Sequence, residues 1–113
     1  MGMSFEEEPT TSGTPPKRTP MMTLEKAVEM GEYDPDNLVV YPEWHQLSKH
    51  LQWAYISKGI ENRRRFLRVQ WARIANAPDY SQKPHLQSTL RGIEKQTNDL
   101  QMDEERLSNE YLA

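Results

Sequence analysis

One spacing constrains this chain more than any other feature. Leu86, Leu90, Ile93, Thr97, Leu100, Glu104, Leu107 and Tyr111 follow one another at steps of 4, 3, 4, 3, 4, 3 and 4 residues. That is the a/d seam of a helix packed along its length against another helix. A second set runs backwards through the preceding segment: Ile74, Trp71, Leu67, Arg64, Ile60, Ser57, Trp53 and His50. Between the two sets lies only the stretch from Asn76 to Lys83, with Pro78 inside it and Pro84 placed for the first turn of a new helix. A loop that short makes the helices antiparallel neighbours.

Aligned this way, apolar faces apolar in the layers Ile74–Leu86, Trp71–Leu90, Leu67–Ile93, Ile60–Leu100 and Trp53–Leu107. The polar seam positions also coincide, with Arg64 opposite Thr97, Ser57 opposite Glu104 and His50 opposite Tyr111. Polar layers of this kind cost stability but penalise slipped registers. The pattern predicts helices over about 43–76 and 84–112, Pro42 opening the first of them. Gly59 is its one interruption, a cost of about 1 kcal/mol against Ala. The fold class is therefore all-α: a long antiparallel, coiled-coil-like helical hairpin over 42–113, with a short N-terminal helix packed on its open end.

Composition matters at this point because the chain is poor in aliphatic residues. Leu, Ile, Val and Phe number 20 of 113, just under the level at which compact cores become scarce. A hairpin needs only a stripe, and eight of the 20 occupy seam positions. Such a fold leaves no room for a large enclosed enzyme core. Zero Cys excludes disulfides, thiolate metal sites and cysteine nucleophiles. No apolar run reaches the roughly 18 residues of a membrane span and no secretory leader is visible, so the expected location is the cytoplasm, or a virus particle for a chain of phage origin.

Ahead of the hairpin, residues 1–20 read as a disordered Thr/Pro-rich tail without hydrophobic period. Phe5 beside Glu6, Glu7 and Glu8 has the form of a short docking motif, although a plain solvated tail accounts for it more simply. Met21 and Met22 stand directly before the first periodic segment and mark a second candidate start of translation. Residues 21–41 predict a short helix from Leu24 to Met30 capped by Thr23, a stop at Gly31, a turn at Asp34-Pro35-Asp36-Asn37 and an extended connector at Leu38-Val39-Val40-Tyr41. Trp44, Leu47, Leu51 and Tyr55 form a second apolar face, opposite the seam. The N-terminal segment is its expected cover, and a protein partner is the alternative, with Trp44 as an aromatic anchor.

Charge is segregated although the net is only −3. Residues 42–78 hold seven basic and two acidic side chains, whereas residues 1–41 hold three and eight. Lys58, Arg63, Arg65, Arg68 and Arg73 on one helix could track a phosphate backbone, with Phe66 and Tyr55 as stacking surfaces, in an RNA or ribosome setting. The competing expectation is neutralisation by Asp99, Asp103 and Glu104 on the facing helix.

Catalysis has little to build on. His45 and His50 are five apart and share no helix face as metal ligands would, and His85 lies at the far end of the hairpin. No catalytic, cofactor-binding or metal-binding residue is assigned, and no small-molecule substrate is expected. The reading is a non-enzymatic interaction or assembly subunit that meets a protein partner or itself. Small scaffolding, adaptor and phage-particle proteins share this shape. The alternative is an RNA- or DNA-associated accessory protein.

Overall fold

The computed structural model describes residues 22–113; the Thr/Pro-rich tail and its Phe5 motif lie outside the described residues. Four helices follow in order: α1 (Leu24–Glu29), α2 (Pro35–Leu38), α3 (Lys49–Ala75) and α4 (Pro84–Leu112), with 3₁₀ turns at Pro42–Gln46 and Tyr80–Gln82. No strand occurs among the described residues. The chain forms the expected all-α hairpin: α3 packs along α4, and α1 packs on α3.

Local chemistry explains each boundary. The Thr23 hydroxyl accepts from the Lys26 amide at 3.1 Å and caps α1. Gly31, at φ 94°, closes it. Glu32 N–H returns to Ala27 O and Gly31 N–H to Val28 O, both at 3.0 Å, the paired bonds of a Schellman stop. The Glu32 carboxylate then accepts from the Tyr33 and Asp34 amides and the Asn37 side chain. Asp34 caps α2, and Pro35 occupies its first turn.

The connector and the start of the long helix depart from expectation. Residues 35–38 are a helical turn, and Val39 is αR rather than extended. The long helix begins at Lys49, because the Ser48 hydroxyl accepts from the Leu51 amide at 3.2 Å and caps it there. Pro42 opens only a 3₁₀ turn, separated from α3 by extended Leu47. Gln52 ties that turn back, its amide donating to Trp44 O at 3.1 Å.

The seam is built from Ile60 and Leu67 on α3 and from Leu90, Ile93, Leu100 and Leu107 on α4, all buried. Ile56 joins them with no exposed surface, although Ser57 is the position expected there. Burial on α3 shifts toward Ile56 because the N-terminal segment covers that flank. Its contributions are Leu24, Ala27, Val28, Leu38, Tyr41 and Trp44, all part of the same core. Each fully buried aliphatic side chain contributes about 1.5–3 kcal/mol, so this segment is a structural half of the domain.

Gly59 is the contact point. A Cβ there would sit 2.9 Å from the Glu32 carbonyl carbon, closer still to its oxygen, and 3.0 Å from Tyr33 Cβ. The glycine lets the α1–α2 turn lie directly on α3. Two side chains of α3 fasten it: Asn62 Nδ2 donates to Val28 O at 2.9 Å, and Arg63 Nε donates to Gly31 O at 3.2 Å. The segment thus reaches the middle of α3. Tyr33 extends it to α4, its hydroxyl donating to Asp103 at 2.7 Å.

Candidate interaction surface

The two long helices sort the candidate residues by what they touch. Trp44 is 4% exposed and lies in the core, so it is an internal staple and not an anchor for a partner. Leu47 and Tyr55 are half-buried against that core. Leu51 alone of the four points outward, at 48% exposure. Residues 22–46 therefore cover most of this face, the cover expected of the N-terminal segment.

The polar seam residues take hydrogen-bond partners other than those that spacing pairs. Arg64 reaches Glu104, not Thr97, at 2.5 Å, and Glu61 at 2.8 Å on its own helix. Burial works against its charge, but the hydrogen bonds and attraction of Glu104 and then Glu61 outweigh this and hold the guanidinium above its ordinary range. Thr97 is exposed and its hydroxyl donates to Ile93 O, a bond within α4. Ser57 is half-buried without Glu104, which Arg64 has taken. His50 is exposed and makes no layer with Tyr111. The Tyr111 phenol is raised by its own burial and by the charges of Glu110 and Asp36. A long guanidinium can reach along the seam to a carboxylate, which residue spacing alone does not register.

The cations of α3 divide into two groups. Arg63 is spent on Gly31 O, and Arg65 donates to Asn62 Oδ1 at 2.6 Å while its residue stays exposed. Lys58, Arg68 and Arg73 are exposed and have no ion-pair partner among the described residues. The acidic residues expected to neutralise them are engaged elsewhere: Asp99 with Lys95, Asp103 with Tyr33 and Arg106, Glu104 with Arg64. Lys58, Arg68 and Arg73 are thus left without an ion pair among the described residues.

Apolar surface collects on the same stretch of α3. Phe66, Val69 and Trp71 are 43%, 48% and 41% exposed. Trp71 does not fill a core layer; its indole N–H donates to Glu94 at 3.1 Å, fixing the ring at the edge of the seam. Two open grooves flank the stretch. One, of about 760 Å³, runs between α3 and α4 past Leu67, Trp71, Glu94 and Thr97. The other, of about 550 Å³, continues from Met30 past Phe66, Val69 and Arg73 to Gln96. Val69 lies outside the seam pattern, and Gly59 reads in the sequence only as a costly interruption. An apolar residue outside the seam at Val69 and a glycine inside a helix were the available signals.

His45 Nε2 lies 2.7 Å from Val39 O, and no group of three or more His, Asp or Glu is placed to hold a metal ion among the described residues. No helix of the described residues is long and apolar enough to cross a membrane. No family model matches the chain, and no curated protein or solved structure is similar to it.

Proposed function

We propose that this protein is a non-enzymatic interaction or assembly subunit that binds another protein through the loop half of α3. The observation that carries the reading is the exposed apolar group Met30, Phe66 and Val69, which shares its groove with Arg73, a cation with no ion-pair partner among the described residues. Single exposed apolar residues are ordinary, but Met30, Phe66 and Val69 line one open groove together, a patch of the kind interfaces use. Aromatic and arginine side chains are also the residues that concentrate binding energy.

The test starts from the full chain isolated with a tag from its native cells. A stoichiometric protein partner is expected to accompany it and to be lost in Phe66→Ser/Val69→Ser, while the helical circular dichroism signal is unchanged. A chain that isolates alone refutes the reading. Lys58, Arg68 and Arg73, without an ion pair among the described residues, favour a second reading, binding to RNA or DNA. It requires an affinity that falls steeply with salt and drops on Arg65→Glu/Arg68→Glu, and material released by nuclease would replace the first reading with it.

A further inference from the structure

The two broad faces of the hairpin differ. Projected at about 100° per residue, Gly59, Asn62, Arg63 and Phe66 lie on one side of the α3 seam, with Arg68, Trp71 and Ala72 on the other. The first side carries α1 and the turn after it. The second carries nothing from the described residues. It holds two grooves in line: about 760 Å³ beside Trp71 near the loop, and about 400 Å³ beside Trp53, with Gln101, Glu105 and Ser108, near the open end. The Arg64 ion pairs separate them.

The edges of this face carry opposite charge. Arg63 and Arg73 belong to the other face and Arg64 to the seam, so on this face the contrast lies at the loop-end groove, lined by Arg68 of α3 and Glu94 of α4. On the α3 edge, Arg68 is exposed and has no acidic partner among the described residues. On the α4 edge, among the described residues, Glu94 holds only the Trp71 indole and Glu105 only the Gln101 amide.

We infer that a second copy of this chain covers this face, related to the first by a two-fold axis parallel to the helices. The inference rests on the interaction reading above and names its partner at a second surface. An axis parallel to the helices sets α3 of one copy on α4 of the other at the same level, so a basic edge meets an acidic one. An axis across the helices would set α3 on α3, cation on cation. Arg68 and Glu94 line one groove and share a level, so Arg68 meets Glu94 of the partner subunit, and the two Trp71 grooves close on each other. A face about 40 Å long and 20 Å wide offers about 800 Å² per copy, the size of a standard specific interface. The product is a four-helix bundle with an isologous contact.

Sedimentation equilibrium on the full chain across the micromolar range tests this. The wild type is expected at the dimer mass. Arg68→Glu and Glu94→Arg should each weaken the dimer at least tenfold, about 1.4 kcal/mol, and Arg68→Glu/Glu94→Arg should restore it. Ala72→Arg, an exposed and helix-compatible change, should block it by bulk, with circular dichroism reporting that each variant folds. A monomer at every concentration overturns the inference, as does a dimer indifferent to Arg68→Glu and Ala72→Arg. A monomer that still carries a different protein, lost in Phe66→Ser/Val69→Ser, removes the second copy and leaves the interaction reading standing.

Discussion

Replacing Gly59 by Ala sets two opposed effects on one methyl group. Helix propensity favours Ala by about 1 kcal/mol in a helix interior. Against it stands the turn after α1, whose Glu32 carbonyl carbon lies 2.9 Å from the new Cβ, where ordinary contact begins at 3.4 Å. The obstacle is backbone, which cannot swing aside as a side-chain tip would, and the Asn62–Val28 and Arg63–Gly31 hydrogen bonds pin the turn in place. Overpacking of a well-packed site costs about 1–3 kcal/mol and each strained hydrogen bond about 1. Taking about 3 kcal/mol together, the net loss after the propensity gain is about 2 kcal/mol, a fall in Tm on the order of 10 °C for a domain of this size. Gly92 supplies the control, since a Cβ there meets nothing within 4 Å. Gly92→Ala should gain about 1 kcal/mol and raise Tm by about 4–8 °C. Thermal and urea unfolding followed by circular dichroism reads both. If Gly59→Ala is as stable as the wild type, or tracks Gly92→Ala, the N-terminal segment does not sit on α3 as described.

Four further outcomes are expected. Burial, and then the hydrogen bond to Asp103, raise the Tyr33 phenol above its ordinary value near 10. Because the folded value is the higher, this stabilisation is complete below pH about 10 and is lost as pH climbs from there toward the folded value. Tyr33→Phe should flatten that alkaline loss in pH-dependent unfolding. A double-mutant cycle on Arg64 and Glu104 should give a coupling of about 1 kcal/mol, reduced by salt, whereas Arg64 and Thr97 should be additive. Asn62→Ala should cost about 1–3 kcal/mol in urea unfolding, since it removes a buried donor from Val28 O and the anchor of Arg65. Ile60 and Leu100 should show coupling in the same kind of cycle, and strict additivity would count against the packing of the seam.

The hairpin was legible because its signal is periodic and repeated: Leu90, Ile93, Leu100 and Leu107 sit in register, and Ile60 and Leu67 answer them. The start of α3 was not, because Pro42 and Ser48 are both acceptable openings and only packing of Trp44 decides between them. The partners of the polar seam residues were hidden for a different reason. Spacing locates a Cα, but Arg64 and Trp71 act through atoms far from theirs, and so found Glu104 and Glu94. Gly59 reads from sequence as a defect in a helix. Its purpose appears only once the Glu32 carbonyl is set against it. The basic ridge was visible, yet whether carboxylates would quench it depended on where Asp99 and Asp103 turned.

The Tyr33–Asp103 hydrogen bond joins residues 70 apart in the chain. The bonds of α3 and α4 close between near neighbours, and such local structure forms quickly. The tie from the α1–α2 turn to α4 instead waits on closing a large loop and on the synthesis of α4 itself. On a ribosome making about 5–20 residues per second, Leu24, Val28 and Leu38 remain without half their core for several seconds after they emerge. The interval is one in which a chaperone, or a second nascent chain, can reach them first.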